Sequence, residues 1–245
     1  MTYTLCVALG ILAAFAAARV LPPNTSVPKE VRDGVRLWAL VGAVVGAHLF
    51  ELPADLFGWA APSPEMLAHQ GAGTMILGRT VLGGLLGGWI AVEWKKRRMG
   101  FVGATGDGFA MPLALGLTMG RMGCTLTGCC QGHVLEQGSM WAFVPTLGDG
   151  PPRFPASLIE AYFHALCAIA LLVMAKLKWL QGRHLALYLT LYAVLRFVLE
   201  MERENPPIIG PLTYYQLLAI ALFALAGGTL WRRSMRTHLP DAGRR

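Results

Sequence analysis

Fourteen residues from Gly120 to His133 read GRMGCTLTGCCQGH and set one arginine, three cysteines and one histidine inside an otherwise apolar run. Each type brings its own chemistry. A guanidinium grips phosphate or carboxylate through two parallel hydrogen bonds. An ionised thiol is a nucleophile or a metal ligand. An imidazole exchanges a proton near neutral pH. A second stretch, YAVLRFVLE, places Tyr192, Arg196 and Glu200 at i, i+4 and i+8, which is one face of a helix.

The elements that must position these residues are membrane-spanning helices. The chain has 245 residues, 55% hydrophobic and only 14% charged, with mean hydropathy +0.50. Such a composition belongs in lipid. Apolar runs long enough for a hydrocarbon core of about 30 Å occur at 2–21, 36–57, 75–94, 108–130, 156–175, 184–203 and 210–231. The expected fold is therefore all-α: a polytopic membrane protein of about seven helices, one domain over 1–245, with long connections at 52–74 and 131–155. Of the 21 lysines and arginines, 16 fall after the first, third, fifth and seventh spans. The positive-inside rule makes those segments cytoplasmic, so the N-terminus is expected outside and the C-terminus inside. The net charge of +7 then follows from topology, and no nucleic-acid partner is needed to explain it. The first span has no basic residues before it, so no cleavable signal peptide is expected.

Topology leaves Arg79, Arg121, Arg153, Arg196 and Arg203 unexplained. At 1.5 Å per residue, Arg121 and Arg196 lie past the midplane, and all five collect in the outer half. An arginine at lipid depth costs a few kcal/mol and normally pairs inside the bundle or lines a polar cavity. One reading is packing alone, with Arg196 paired to Glu200 and Arg121 to a carboxylate on a neighbouring helix. The other is an anion, and the anion at hand is a lipid phosphate held by Arg121 and Arg196 with Arg79 or Arg153.

Glycines in LGGLLGG and at Gly116, Gly120 and Gly123 would let the third and fourth helices approach closely. Gly128 and Gly132 frame Cys129 and Cys130, where the helix is expected to unwind, which is tolerated only where backbone lines protein or water. Cys6 and Cys167 read as core residues. Cys124, Cys129 and Cys130 with His133 allow a zinc site on paper, but adjacent cysteines ligate one metal poorly. No metal and no cofactor are therefore expected. His133 and His48 are candidate bases by position, and Arg121 is placed to lower the pKa of Cys129.

In order along the chain, RTVLGGLLGG, GRMGCTLTGCCQG, RFPASLIEA and YAVLRFVLEMEREN followed by GPLTYYQ resemble the motifs of the prolipoprotein diacylglyceryl transferase family. That family moves diacylglyceryl from phosphatidylglycerol to the lipobox cysteine of a prolipoprotein. The resemblance implies a multi-pass enzyme of the bacterial plasma (inner) membrane, with phosphatidylglycerol or another anionic phospholipid and a prolipoprotein signal peptide as partners. It departs at the family's histidine, which falls on Leu82. The two signature asparagines fall on Cys124 and Thr127, and the signature glutamate on Cys129.

The leading expectation is a transferase with Arg121, Arg196, Glu200, Cys129 and His133 as catalytic residues. Substrate-binding falls to Arg121, Arg196, Tyr192, Arg79, Arg153, Gly128 and Gly132. A thiol acceptor attacks the glyceryl carbon, with Glu200, His133 or His48 taking its proton, or with Cys129 or Cys130 as a covalent way station. The alternatives are a thiol-based redox or metal-binding membrane protein, or a lipid-binding or transport relative without chemistry.

Overall fold

The computed structural model describes residues 2–20, 27–60, 80–136, 138–141 and 151–236. Their order is α1 (Thr2–Val20), α2 (Lys29–Leu49), α3 (Leu52–Phe57), α4 (Val81–Arg98), α5 (Asp107–Leu126), α6 (Ala156–Lys176), α7 (His184–Leu199), a single 3-10 turn (Glu200–Glu202), β1 (Pro207–Ile209), β2 (Leu212–Thr213) and α8 (Tyr214–Arg236). The seven long helices run from 16 to 23 residues. Among the described residues, five stretches are long and apolar enough to cross a membrane: Thr2–Arg19, Lys29–Phe57, Ala156–Lys176, His184–Glu202 and Tyr214–Met235. The expectation of about seven thus meets five. The two others, α4 and α5, are weakened by their sequences, since α4 carries Glu93, Lys95, Lys96, Arg97 and Arg98 and α5 carries Asp107, Arg121 and four glycines.

Boundaries also move. Pro28 fixes an extended entry (φ −53°, ψ 147°) and α2 begins at Lys29 rather than residue 36. The connection expected from residue 52 opens with the short helix α3, which Gly58 ends in a left-handed conformation. The fold is not purely helical. Proline at 206, 207 and 211 blocks helix between α7 and α8, and an antiparallel hairpin pairs Pro207 with Thr213 and Ile209 with Leu212.

Glycines set which helices touch. A Cβ on Gly46 would lie 2.4 Å from the Gly83 carbonyl oxygen, and one on Gly87 would lie 2.3 Å from that of Gly42. The α4 glycines therefore seat α4 on α2, and Gly123, beside Cys6 and Tyr3, seats α5 on α1. The third and fourth helices were expected to use these glycines on each other. Further contacts run between α5 and α6 and between α7 and α8, around a core that includes Leu82, Ala114, Leu171, Tyr188 and Leu222. Leu12, Leu40 and Leu166 are each about two-thirds exposed, an apolar outer surface suited to lipid. The helices alternate in direction, so the turns after Leu126, before Ala156, after Leu199 and before Tyr214 meet at one end, and the basic clusters at 95–98 and 232–236 lie at the other.

Candidate active site

Four elements converge on one buried charge cluster at the end away from the basic segments. Glu160, on the first turns of α6, is fully buried, and its Oε2 lies 2.7 Å from Arg121 Nε at the end of α5. Its Oε1 lies 3.8 Å from Arg196 Nε and 3.6 Å from Arg203 Nη2. Glu200 Oε2 lies 2.7 Å from Arg196 Nη1 and 3.9 Å from Arg203 Nε, while its Oε1 accepts from Asn205 Nδ2 at 2.5 Å and from Thr213 Oγ1 at 3.2 Å. Tyr192 donates its hydroxyl to Glu160 Oε2 at 3.2 Å and accepts from Arg121 Nη2 at 3.5 Å. A partnered carboxylate is what makes a buried guanidinium tolerable.

The pairs expected for packing alone are therefore present, but they do not use the arginines up. Arg121 is engaged through Nε and Nη2, Arg196 through Nε and Nη1, and Arg203 through Nε and Nη2. One terminal nitrogen on each has no protein partner among the described residues. Three guanidiniums against two carboxylates leave one positive charge, and all three arginines line a cavity of about 1140 Å³. That exceeds the roughly 300–1,000 Å³ of small-molecule pockets.

The end of α5 carries the thiols. Thr127 caps the helix by donating to the Gly123 carbonyl at 2.9 Å. The chain then passes through left-handed conformations at Gly128 (φ 72°) and at Cys130 (φ 62°). The second is uncommon for a residue with a Cβ. Arg203 Nη2 donates to the Cys130 carbonyl at 3.1 Å and so holds this turn. The sulfurs of Cys124, Cys129 and Cys130 all lie within 4.8 Å of one another. Beyond the helix end, hydrogen bonds from Cys124 and Cys129, aided by the charges of Arg203 and Arg121, hold the Cys130 thiol well below the ordinary range despite burial. Cys129 also bonds to Cys124, but its bond to Cys130 and burial push it up. The thiol held low is Cys130, chiefly through its cysteine neighbours and less through the arginines, where the sequence pointed to Arg121 acting on Cys129.

Next, 132–135 runs antiparallel to 152–154, with Gly132 N–H donating to the Phe154 carbonyl at 2.8 Å and Val134 bridged to Arg153. A Cβ at Gly132 would meet the Glu202 carbonyl oxygen at 2.6 Å, so only glycine fits. Arg153 Nη1 donates to the Gly132 carbonyl at 3.1 Å and reaches Glu204 Oε2 at 3.4 Å, at the rim of the cavity. His133 Nδ1 lies 3.3 Å from Glu202 Oε2 and 3.2 Å from the Glu202 carbonyl. His48 bonds to the Val44 carbonyl one turn back. Arg79 lies outside the described residues. The structure thus gathers Arg121, Arg196, Glu200 and Tyr192, sets Gly128 and Cys129 in the adjoining turn, and places Gly132, His133 and Arg153 at its edge.

Sequence reasoning left Glu160 out of the site and counted Arg203 among the outer arginines without giving it a role. The signal for Glu160 was a lone carboxylate inside the fifth apolar span, which carries a functional expectation by itself.

A family model for prolipoprotein diacylglyceryl transferase matches residues 1–232. The chain belongs to the prolipoprotein diacylglyceryl transferase family. A phosphatidylglycerol–prolipoprotein diacylglyceryl transferase of Gloeobacter violaceus is 31% identical, the match covering 97% of this chain and 91% of its own. One of Rickettsia canadensis is 29% identical over 96% and 92%, and one of Clostridium tetani 28% identical over 83% and 81%. The departures from the prolipoprotein diacylglyceryl transferase motifs now have places. Leu82 is a core residue at 1% exposure, and Cys124, Thr127 and Cys129 form the end of α5 and the turn after it.

Proposed function

We propose that this protein transfers diacylglyceryl from phosphatidylglycerol to the cysteine thiol of a prolipoprotein. The reaction takes place in the outer half of a bacterial plasma membrane that the seven long helices cross with the N-terminus outside and the C-terminus inside. The observation that carries this reading is the set of three open guanidinium nitrogens, on Arg121, Arg196 and Arg203, around one cavity with a surplus positive charge. A phosphodiester brings one negative charge to that place.

In the reaction a sulfur–carbon bond forms at the glyceryl carbon that bears the phosphate, and the carbon–oxygen bond to phosphate breaks. Glycerol phosphate leaves with the bonding pair, and the thiol proton is released. Charge grows on the departing phosphate, and guanidiniums already fixed by Glu160 and Glu200 stabilise it without moving. Tyr192 and Thr213 position those carboxylates. Arg153 at the rim is placed to meet the headgroup as it enters.

Purified protein supplied with phosphatidylglycerol and a lipobox peptide should release glycerol phosphate and yield lipidated peptide. Arg121→Ala should abolish turnover, and Arg121→Lys should restore only part of it, because a point charge cannot reproduce the fork. Full turnover by Arg121→Ala would remove the phosphate pocket. Rescue of a strain depleted of its own diacylglyceryl transferase gives the same answer in cells.

A further inference from the structure

Within the transferase reading, the acceptor thiol must lose its proton before it attacks, since the thiolate is the nucleophile. The side chains first suited to take that proton are occupied. Glu200 is ion-paired with Arg196 and accepts hydrogen bonds from Asn205 and Thr213, and His133 is tied to Glu202. Cys124 and Cys130 are among the residues that line the cavity beside the arginines.

We propose that Cys124, Cys129 and Cys130 bind one zinc ion whose fourth position, open to the cavity, takes the acceptor thiol. The proposal rests on the transferase reading for the identity of that thiol. The three sulfurs already lie within 4.8 Å of one another. A Zn–S bond of about 2.3 Å in tetrahedral geometry sets sulfurs about 3.8 Å apart, so closing on the ion asks for about 1 Å at most. The objection to adjacent cysteines as ligands holds for a regular backbone, in which neighbouring side chains diverge. Here φ of 62° at Cys130 breaks that regularity and brings both thiols to Cys124. A strained conformation of this kind persists only where its surroundings impose it. Arg203 imposes it through the Cys130 carbonyl. The Thr127 hydroxyl lies 3.4 Å from Cys129 Sγ beside its shorter bond to the Gly123 carbonyl, a neighbour of the kind that surrounds metal ligands.

Charge agrees with this assignment. Three thiolates and Zn(II) sum to one negative charge beside the guanidiniums of Arg121 and Arg203, so with the ion bound the phosphodiester is held by the open guanidinium nitrogens rather than by a net charge. Ligand number agrees as well: three protein ligands with a fourth position open is the catalytic arrangement, and four would make a closed structural site. Among the described residues the cluster holds those three groups alone. A thiol that joins the ion is deprotonated outright. Its proton passes to solvent, its sulfur attacks the glyceryl carbon, and the arginines take the phosphate that departs. The replacements at Cys124 and Cys129 then form one device that readies the nucleophile.

The test begins with reduced protein in detergent, stripped by chelator and titrated with Co(II) and then Zn(II). One equivalent should bind, and Co(II) should show an intense thiolate-to-metal charge-transfer band. A lipobox peptide with cysteine should perturb that band, and its serine counterpart should not. Cys6→Ser and Cys167→Ser should bind as the parent does, and the triple variant Cys124→Ser, Cys129→Ser, Cys130→Ser should not. Stripping should lower turnover by about 100-fold or more, the scale of one lost proton acceptor, and Zn(II) should restore it. Absence of uptake by the parent, or equal uptake by the triple variant, overturns the site. Uptake with turnover indifferent to stripping overturns its role. If metal binds and the cysteine peptide responds, but neither stripped nor loaded protein consumes phosphatidylglycerol, the transferase reading fails and the thiol-binding zinc site stands.

Discussion

Arg203→Ala separates the chemistry of the cluster from its architecture. The ion pairs of Arg203 are long, 3.6 Å to Glu160 and 3.9 Å to Glu200, and each carboxylate keeps a 2.7 Å partner, Arg121 or Arg196. Removing the side chain leaves no buried charge without its counterion. What is lost to folding is one hydrogen bond from a charged donor, the 3.1 Å bond to the Cys130 carbonyl, about 1.5–3 kcal/mol. Arg121→Ala differs, because it deprives a fully buried Glu160 of its one close partner, and breaking such a pair costs about 3–5 kcal/mol. For catalysis the two arginines are more alike, since each offers one open nitrogen to the phosphate. Loss of one preorganised donor slows a reaction by about 10²–10³, or 2.7–4 kcal/mol. Arg203→Ala should therefore stay folded, with a thermal midpoint in detergent clearly above that of Arg121→Ala, while phosphatidylglycerol turnover falls by about 10²–10³. Turnover within tenfold of the parent in a folded Arg203→Ala protein would refute the reasoning and show that neither the phosphate nor the thiol turn needs Arg203.

Two further outcomes check the frame around the site. Gly46→Ala puts a methyl group 2.4 Å from the Gly83 carbonyl oxygen and should force α2 and α4 apart at a cost of about 1–3 kcal/mol, read as a lowered melting temperature in detergent. Gly120→Ala, which meets nothing within 4 Å, should leave it unchanged. A reporter fused after Arg245 should behave as cytoplasmic, because the clusters at 95–98 and 232–236 fall at one end of the bundle, and activity outside would invert the placement of the site.

The convergence of Tyr192, Arg196 and Glu200 was legible because a polar stripe at helical spacing in an apolar run can face only the bundle interior. Arg121 was legible by depth, through the fixed rise per residue. Neither argument reaches Glu160, a single carboxylate with no periodic partner, whose importance comes from α6 lying against α5. Arg203 was out of reach for another reason. Straight extension of the sixth span carries it away from the cluster, but the chain tightens into a 3-10 turn at Glu200–Glu202 and folds Arg203 back over it. Glycine spacing announced close helix contacts and was silent on partners, because any two small-residue faces can meet. The thiol turn depends on a left-handed cysteine, a conformation that no propensity foretells.

The carboxylates of the cluster do more than tolerate the arginines. Three guanidiniums around an open cavity would repel one another and spread, and a phosphate arriving there would have to gather them. Glu160 touches all three, and Glu200 touches Arg196 and Arg203, so the fork nitrogens left over point where they do before any lipid arrives. The reorganisation is completed during folding, which is why such fixed donors stabilise growing charge better than water does. Arg203 also ties this cluster to the turn that carries the thiols. On the proposed reading, the group that holds the departing phosphate and the one that shapes the cysteine turn are one residue, so a single side chain would set the spacing between the leaving oxygen and the attacking sulfur.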